Sequence, residues 1–151
     1  MSGLYMIQED GQLVEMNEEF YDSEDLLQQL LARYPSLLAG DQWDGDAHRR
    51  LLLVSREVGL PSEVGGANRW SVDHLFLDQD AIPTLVEVKR SSDTRIRREV
   101  VGQMLDYAAN AIVYWPVETI RASFEERCSA DGIDIDMTLE DFLNSGDQDE
   151  F

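Results

Sequence analysis

The spacing of apolar residues along the chain predicts short strands that alternate with amphipathic helices. Leu4–Gln8 and Gln12–Met16 flank an Asp10-Gly11 step, which is typical of a β-hairpin turn. Leucines then recur three and four positions apart, the pattern of one helix face. We expect this helix to end before Pro35, because the residue preceding a proline disfavours the helical conformation.

The central part of the chain predicts a strand meander followed by a helix and a further strand. The predicted strands are Arg50–Leu60, Trp70–Leu77 and Pro83–Lys89, and the short turn between the last two favours antiparallel pairing. A long amphipathic helix is expected at about Thr94–Asn110. The apolar, β-branched segment Ala111–Trp115 then predicts a fourth strand.

The last third of the chain predicts helices and an acidic end. One helix should run from Pro116 to about Ala130, and a short one should start near Thr138. This order of elements predicts an α/β fold with a central mixed sheet flanked by helices. The expected units are an N-terminal hairpin (1–20), a core (21–130) and an acidic, partly disordered C-terminal segment (131–151).

Length and composition argue against a membrane-spanning, secreted or disulfide-rich protein. A chain of 151 residues is long enough for one self-sufficient domain. No apolar run approaches the roughly 20 residues that a membrane span needs, and the first residues lack the basic start and apolar stretch of a signal peptide. The single cysteine, Cys128, excludes an internal disulfide framework. We therefore expect a cytoplasmic protein with no membrane partner.

The charge is strongly negative but unevenly distributed. The net charge is −19, and residues 1–25 and 131–151 each hold 8 acidic residues and no basic residue. Residues 26–130 hold 15 acidic and 12 basic residues, so the middle of the chain is nearly balanced. Its basic cluster consists of Lys89, Arg90, Arg95, Arg97 and Arg98, and its four arginines are the expected nucleic-acid contact. For Arg95, Arg97 and Arg98 the alternative is a solvated helix start that pairs with nearby acidic residues.

One basic residue differs from all the others. Of the 12 basic residues 11 are arginine, and Lys89 is the one lysine. A compact ammonium group suits a site that must contact a water or a phosphate oxygen. Lys89 lies two positions after Glu87 in a predicted strand, so both side chains should project from one face. Asp73, in the preceding strand, could lie beside Glu87.

Two carboxylates and an ammonium group at one place suggest a metal-dependent hydrolase. Close carboxylates repel each other unless a cation lies between them, and Mg²⁺ or Mn²⁺ prefers such oxygen ligands. A bound metal ion acidifies water and stabilises charge on a phosphate oxygen. The alternative is an ordinary surface ion pair on a solvated strand, which contributes only about 0–1 kcal/mol.

The next helix adds two polar residues to this set. Gln103 and Tyr107 are four positions apart and therefore share a helix face. Together, the segments SVDHLF, VEVK and QMLDY resemble the D…ExK…QxxxY signature of RecB-like nucleases in the PD-(D/E)xK superfamily. The segment Trp70–Trp115 is most similar to the NucS-type endonuclease domain, and EDLLQQLLARYPSLL is similar to the first helix of such domains.

The resemblance implies a restriction-endonuclease-like core and a role for each matching residue. Asp73 and Glu87 would bind Mg²⁺ or Mn²⁺, with the Val88 carbonyl and Glu24 as further ligands. Lys89 would act on the attacking water. Gln103 and Tyr107 would complete the catalytic set by supporting the site or contacting DNA.

The leading hypothesis is therefore a Mg²⁺-dependent endonuclease that hydrolyses DNA phosphodiester bonds. The acidity of the chain keeps two alternatives open: a non-catalytic nucleic-acid- or protein-binding module on the same fold, and an acidic protein that binds a basic partner. The acidity also suggests a homodimer, or a longer parent chain with an additional domain.

Overall fold

The computed structural model describes residues 4–17, 23–38, 49–61, 68–90 and 99–144, and these residues form an α/β fold. The strands are β1 (Leu4–Ile7), β2 (Leu13–Met16), β3 (Leu51–Pro61), β4 (Asn68–Asp78) and β5 (Pro83–Val86). The helices are α1 (Glu24–Arg33), α2 (Val101–Tyr114), α3 (Val117–Asp131) and α4 (Ile135–Asn144). Among the described residues no helix has the length and apolar character needed to cross a membrane.

The two sheets of the described residues are both antiparallel. β1 and β2 form the predicted hairpin, whose turn is closed by Gly11 at a φ of 81° and by the Asp10 carboxylate, which accepts the Gln12 N–H. β3, β4 and β5 form a meander in that spatial order. The register pairs Leu53 with Phe76, and Phe76 with Thr84.

The predicted fourth strand is wrong. Residues 111–114 are the last turn of α2, and Trp115 ends the helix with its N–H bonded to the Ala111 carbonyl. The described residues therefore contain no pair of parallel strands, and they do not form the predicted mixed sheet. Pro116 explains where α2 stops, because a proline disfavours the helical conformation of the residue before it.

Other boundaries also differ from the prediction. α4 begins at Ile135 rather than near Thr138, since the Asp134 carboxylate accepts the Met137 N–H and caps the helix. β5 ends at Val86, so Glu87 and Lys89 lie just beyond the strand. The first part of the helix predicted at about Thr94–Asn110, up to residue 98, lies outside the described residues. So does the tail predicted to be disordered, residues 145–151.

The meander lies between two groups of helices. On one face it packs against α2, α3 and the segment joining them, through a cluster made of Val54, Val58, Val72, Leu75, Tyr107, Trp115, Phe124 and Cys128. Ile135 and Leu139 of α4 extend this cluster. On the other face a smaller cluster, with Phe76 at its centre, packs against Ala32 of α1. Adjacent residues of β4 thus point to opposite layers, as a strand requires.

Two side chains from outside the sheet bond to main-chain carbonyls of β3. The Trp115 indole N–H donates to the Gly59 carbonyl at 3.3 Å. The Arg127 guanidinium, on α3, donates to the Val54 carbonyl at 3.2 Å. Two main-chain carbonyls of the edge strand are therefore satisfied by side chains rather than by another strand.

Candidate active site

Asp73 lies just beyond the paired part of β4 and β5. The last paired residues are His74 and Val86, so the same register brings Asp73 next to Glu87. The Asp73 Oδ2 atom accepts the Val88 N–H at 2.7 Å. A carboxylate thus satisfies a main-chain amide two residues beyond the end of the ladder, and this bond fixes Asp73 beside the Glu87–Lys89 segment.

Glu87 and Lys89 form a close ion pair on one side of this segment. The Lys89 Nζ atom lies 2.7 Å from Glu87 Oε1, and the two side chains are 25% and 4% exposed. Val88, between them, is buried in the opposite direction at 5% exposure. The two-residue alternation of a strand therefore persists past Val86, although the hydrogen-bonded ladder does not.

α2 supplies the third side of the site. The Gln103 amide nitrogen donates to Glu87 Oε1 at 3.1 Å and also to the Tyr107 hydroxyl. Tyr107 is 2% exposed and belongs to the main apolar cluster, so its ring anchors the hydrogen-bonded chain in the core. The structure thus brings Gln103 and Tyr107 to Glu87, with Gln103 as the direct contact.

α1 supplies an acidic residue through its first turn. Ser23 caps the helix by accepting the Leu26 N–H, which fixes where Glu24 begins the helical turn. The Glu24 Oε1 atom accepts the Arg90 N–H at 3.0 Å, and the Arg90 guanidinium lies 4.0 Å away. Glu24 therefore lies against the segment that carries Lys89.

The charges of these residues act together on Lys89. Burial alone would lower the pKa of Lys89, but the hydrogen bond and charge of Glu87, with the charges of Asp73 and Glu24, outweigh burial and raise it. Lys89 is therefore a cation at neutral pH. Because three carboxylates surround this ammonium group, the site has a surplus of negative charge beside a fixed positive one.

The second oxygen of Glu87 distinguishes this cluster from a surface ion pair. Glu87 Oε2 is buried and has no hydrogen-bond partner among the described residues. An unpaired buried carboxylate oxygen is costly, typically about 1–3 kcal/mol or more. A free carboxylate oxygen, with Asp73 beside it, is the kind of ligand that a hard divalent cation takes.

The acidic side chains of the cluster do not by themselves form a closed set of metal ligands. Among the described residues, no three Asp, Glu, His or Cys side chains lie close enough to hold a metal ion together. Mg²⁺ is commonly held by one or two carboxylates and keeps several waters. The donor set of Asp73, Glu87 and the Val88 carbonyl fits that kind of site, and Glu24 would lie at its border.

Of the four arginines predicted to contact DNA, only Arg90 lies among the described residues. Arg90 is exposed, with 59% of its side chain accessible, next to the site. Arg95, Arg97 and Arg98 lie outside the described residues. A groove of about 1220 Å³ lies elsewhere, between α1, β3 and α3, and none of the described site residues lines it.

One buried acid, Asp78, is not among the residues predicted from the sequence. Its Oδ1 atom accepts the N–H groups of Asp80 and Ile82 at 3.0 and 2.7 Å, and its Oδ2 atom lies 3.4 Å from the Arg49 guanidinium. Asp78 thereby closes the β4–β5 turn and fixes the register that aligns Asp73 with Glu87. An aspartate at a strand end before a polar turn was the available signal.

Comparison of the chain with protein-family models, with curated proteins and with solved structures finds no match.

Proposed function

We propose that this protein is a divalent-metal-dependent nuclease that hydrolyses DNA phosphodiester bonds at the Asp73–Glu87–Lys89 cluster. The observation that carries the proposal is the buried, unpartnered Oε2 atom of Glu87, next to a fixed ammonium group and a second carboxylate. A cation bound there would offset the repulsion of the carboxylates and supply an activated water and charge stabilisation for a phosphate oxygen.

Each residue has a task that follows from its contacts. Gln103 and Lys89 both hold Glu87 Oε1, which leaves Oε2 for the cation. The Lys89 ammonium group lies 2.7 Å from Glu87 Oε1, and we assign it the role of orienting the attacking water and stabilising negative charge on the phosphate. The hydrogen bond from Val88 orients Asp73.

The arrangement of elements supports the same proposal. A helix, a three-stranded antiparallel meander and a second helix carry the acidic residues of α1, β4 and the segment after β5 whose charges act on Lys89. We infer a restriction-endonuclease-like core from this order and from the resemblance of the D…ExK…QxxxY residues. Arg90, with Arg95, Arg97 and Arg98, would then contact DNA phosphates.

Plasmid nicking tests the proposal. We expect supercoiled DNA to be cleaved with millimolar Mg²⁺ or Mn²⁺, and Lys89→Met to lower the rate by at least about a hundredfold. Glu140→Gln, an exposed acid of α4, is the matched control and should cleave like the wild type. Circular dichroism shows whether the variants are folded. Unchanged cleavage by folded Lys89→Met would refute the assignment.

A binding module without catalysis is the second candidate, and the net charge of −19 favours it because DNA enzymes usually present more positive surface. Calorimetry separates the two. Mn²⁺ binding by the wild type that is lost in Glu87→Gln supports the nuclease. An absence of Mn²⁺ binding at millimolar metal, together with an absence of cleavage, supports the module.

A further inference from the structure

Apolar packing holds α1 on the meander but does not define where the helix lies along its own axis. Leu31 is 6% exposed, and Ala32 packs against the cluster around Phe76. Contacts of this kind are not directional, so they allow the helix to slide by a fraction of a turn. Hydrogen bonds are directional, and the bonds between α1 and the sheet therefore decide where its first turn lies.

His74 of β4 makes a buried hydrogen bond to α1. Its Nε2 atom lies 2.8 Å from the Gln28 carbonyl, and the residue is 0% exposed. A carbonyl oxygen only accepts, so Nε2 carries the proton and donates it. The other ring nitrogen, Nδ1, is buried without a hydrogen-bond partner among the described residues. An apolar side chain would avoid that cost, so the bond to α1 is what the imidazole contributes here.

Arg56 of β3 makes the neighbouring contacts, and water weakens them. The register pairs Arg56 with His74. The Arg56 Nη2 atom lies 3.2 Å from Asp25 Oδ1 and 3.1 Å from Gln28 Oε1. The Arg56 and Asp25 side chains are 32% and 65% exposed, and ion pairs that water reaches contribute little. The His74 bond therefore fixes the axial position of α1 more firmly than the Arg56 contacts do.

The bonded carbonyl lies one helical turn from the acidic residue that reaches the candidate active site. Gln28 follows Glu24 by four positions, so both lie on the same side of α1. Four residues span about 6 Å of helix axis, over which a helix does not bend appreciably. Fixing the Gln28 carbonyl therefore fixes the backbone of Glu24, whose Oε1 atom accepts the Arg90 N–H at 3.0 Å.

We propose that His74 is a positioning residue that, through the Gln28 carbonyl, holds Glu24 against the segment that carries Lys89. Its effect on metal binding rests on the proposed function, in which Glu24 lies at the border of the metal ligands. His74 follows Asp73 in β4, and adjacent strand residues point to opposite faces. His74 therefore acts on the site through α1 and not through the Asp73 side chain.

The amide resonance of Arg90 in the metal-free full chain tests the positioning directly. His74→Leu keeps an apolar side chain but cannot donate, so we expect this resonance to move to its position in Glu24→Ala, where the acceptor is missing. His74→Gln places an amide donor near the Nε2 position and should keep the wild-type resonance. The Val88 amide, which donates to Asp73, should stay in place in all three variants.

Calorimetry with Mn²⁺ tests the consequence for the site. Glu24→Ala and His74→Leu should each weaken binding about tenfold, as expected for residues that orient metal ligands. The double variant should bind no more weakly than either single variant, because both changes act through one carboxylate. His74→Gln should stay within about threefold of the wild type, since it keeps the donor. Val54→Ala, a core change on the opposite face of the meander, should lower stability and leave the affinity unchanged.

The two measurements separate the positioning role from the proposed function. A folded His74→Leu with the wild-type Arg90 resonance overturns the positioning role, and so do losses of Mn²⁺ affinity that add in the double variant. A shifted Arg90 resonance in a protein that binds no Mn²⁺ supports the positioning contact and refutes the metal-dependent function. If His74→Leu does not fold, His74→Asn replaces it, because its polar amide ends short of the Nε2 position.

Discussion

Asp78 holds the turn on which the geometry of the site depends, and its removal should cost a large part of the stability of the fold. Asp78→Ala removes the acceptor for two main-chain N–H groups and leaves Arg49 without this carboxylate. The residue is 2% exposed, so water cannot replace the lost oxygen atoms without opening the turn.

The magnitude follows from these contacts. Hydrogen bonds to a charged group contribute about 1.5–3 kcal/mol each, so the loss of two bonds predicts a drop of about 3–6 kcal/mol in the free energy of unfolding. Asp78→Asn keeps an oxygen in place for both N–H groups and loses only the charge that faces Arg49. We expect it to cost about 1–2 kcal/mol.

Urea unfolding monitored by circular dichroism measures both changes. Asp80→Asn, an exposed residue of the same turn, is the control and should stay within about 0.5 kcal/mol of the wild type. The reasoning fails if Asp78→Ala costs less than about 1 kcal/mol, since two main-chain N–H groups that lose a charged acceptor should cost more. It also fails if the alanine and asparagine variants are equally unstable.

Four further predictions follow from single contacts. Ala81 has a φ of 60°, so Ala81→Gly should stabilise the protein by up to about 1 kcal/mol, seen as a rise in Tm. Ser23→Ala removes the cap of α1 and should cost about 1 kcal/mol in urea unfolding. Burial lowers the pKa of His74 below its ordinary value of 6.5, so the unfolded chain binds a proton more readily than the folded one below that pH. Stability should then fall by at most about 1.4 kcal/mol per pH unit between about pH 6.5 and 5.5, and His74→Phe should flatten that slope in urea titrations; an unchanged slope contradicts the assignment. Gln103→Leu removes the donor that orients Glu87 and should weaken Mn²⁺ binding about 10–100-fold in calorimetry, whereas an unaltered affinity would mean that Glu87 needs no such support.

Local signals in the sequence were sufficient for the elements that local interactions determine. The Asp10-Gly11 turn predicts its hairpin because Gly11 takes a positive φ and the Asp10 side chain bonds to the backbone two residues later. The three strands of the meander were also predicted, because apolar residues on both faces mark strands that helices cover on both sides.

The sequence failed where the environment overruled local preference. The apolar, β-branched stretch 111–114 favours a strand, yet it continues α2 to Trp115, whose indole group contacts the Gly59 carbonyl of β3. The pattern at Glu87 and Lys89 correctly placed both side chains together but extended β5 too far. The bond from Val88 to Asp73, which takes over from the ladder, joins residues 15 positions apart and has no local signature.

The residues of the site divide in the same way, into features that local spacing predicts and features that depend on packing. The spacing of Gln103 and Tyr107 predicted a shared helix face, whereas the target of that face depended on how α2 docks. Asp78 escaped prediction because the sequence gives no indication that its carboxylate is buried. A polar residue at a turn and a buried turn-closing acid look identical until the packing is known.

The side-chain bonds to carbonyls of β3 bear on whether the sheet can pair with a strand of another molecule at high protein concentration. An open strand edge invites a strand from another molecule, which is a common route to fibrous aggregates. With the carbonyls of Val54 and Gly59 already occupied by Arg127 and Trp115, a docking strand would lose these bonds before gaining its own. A strand that paired with β3 there would have to displace two side-chain bonds, both made by residues that take no part in the proposed chemistry.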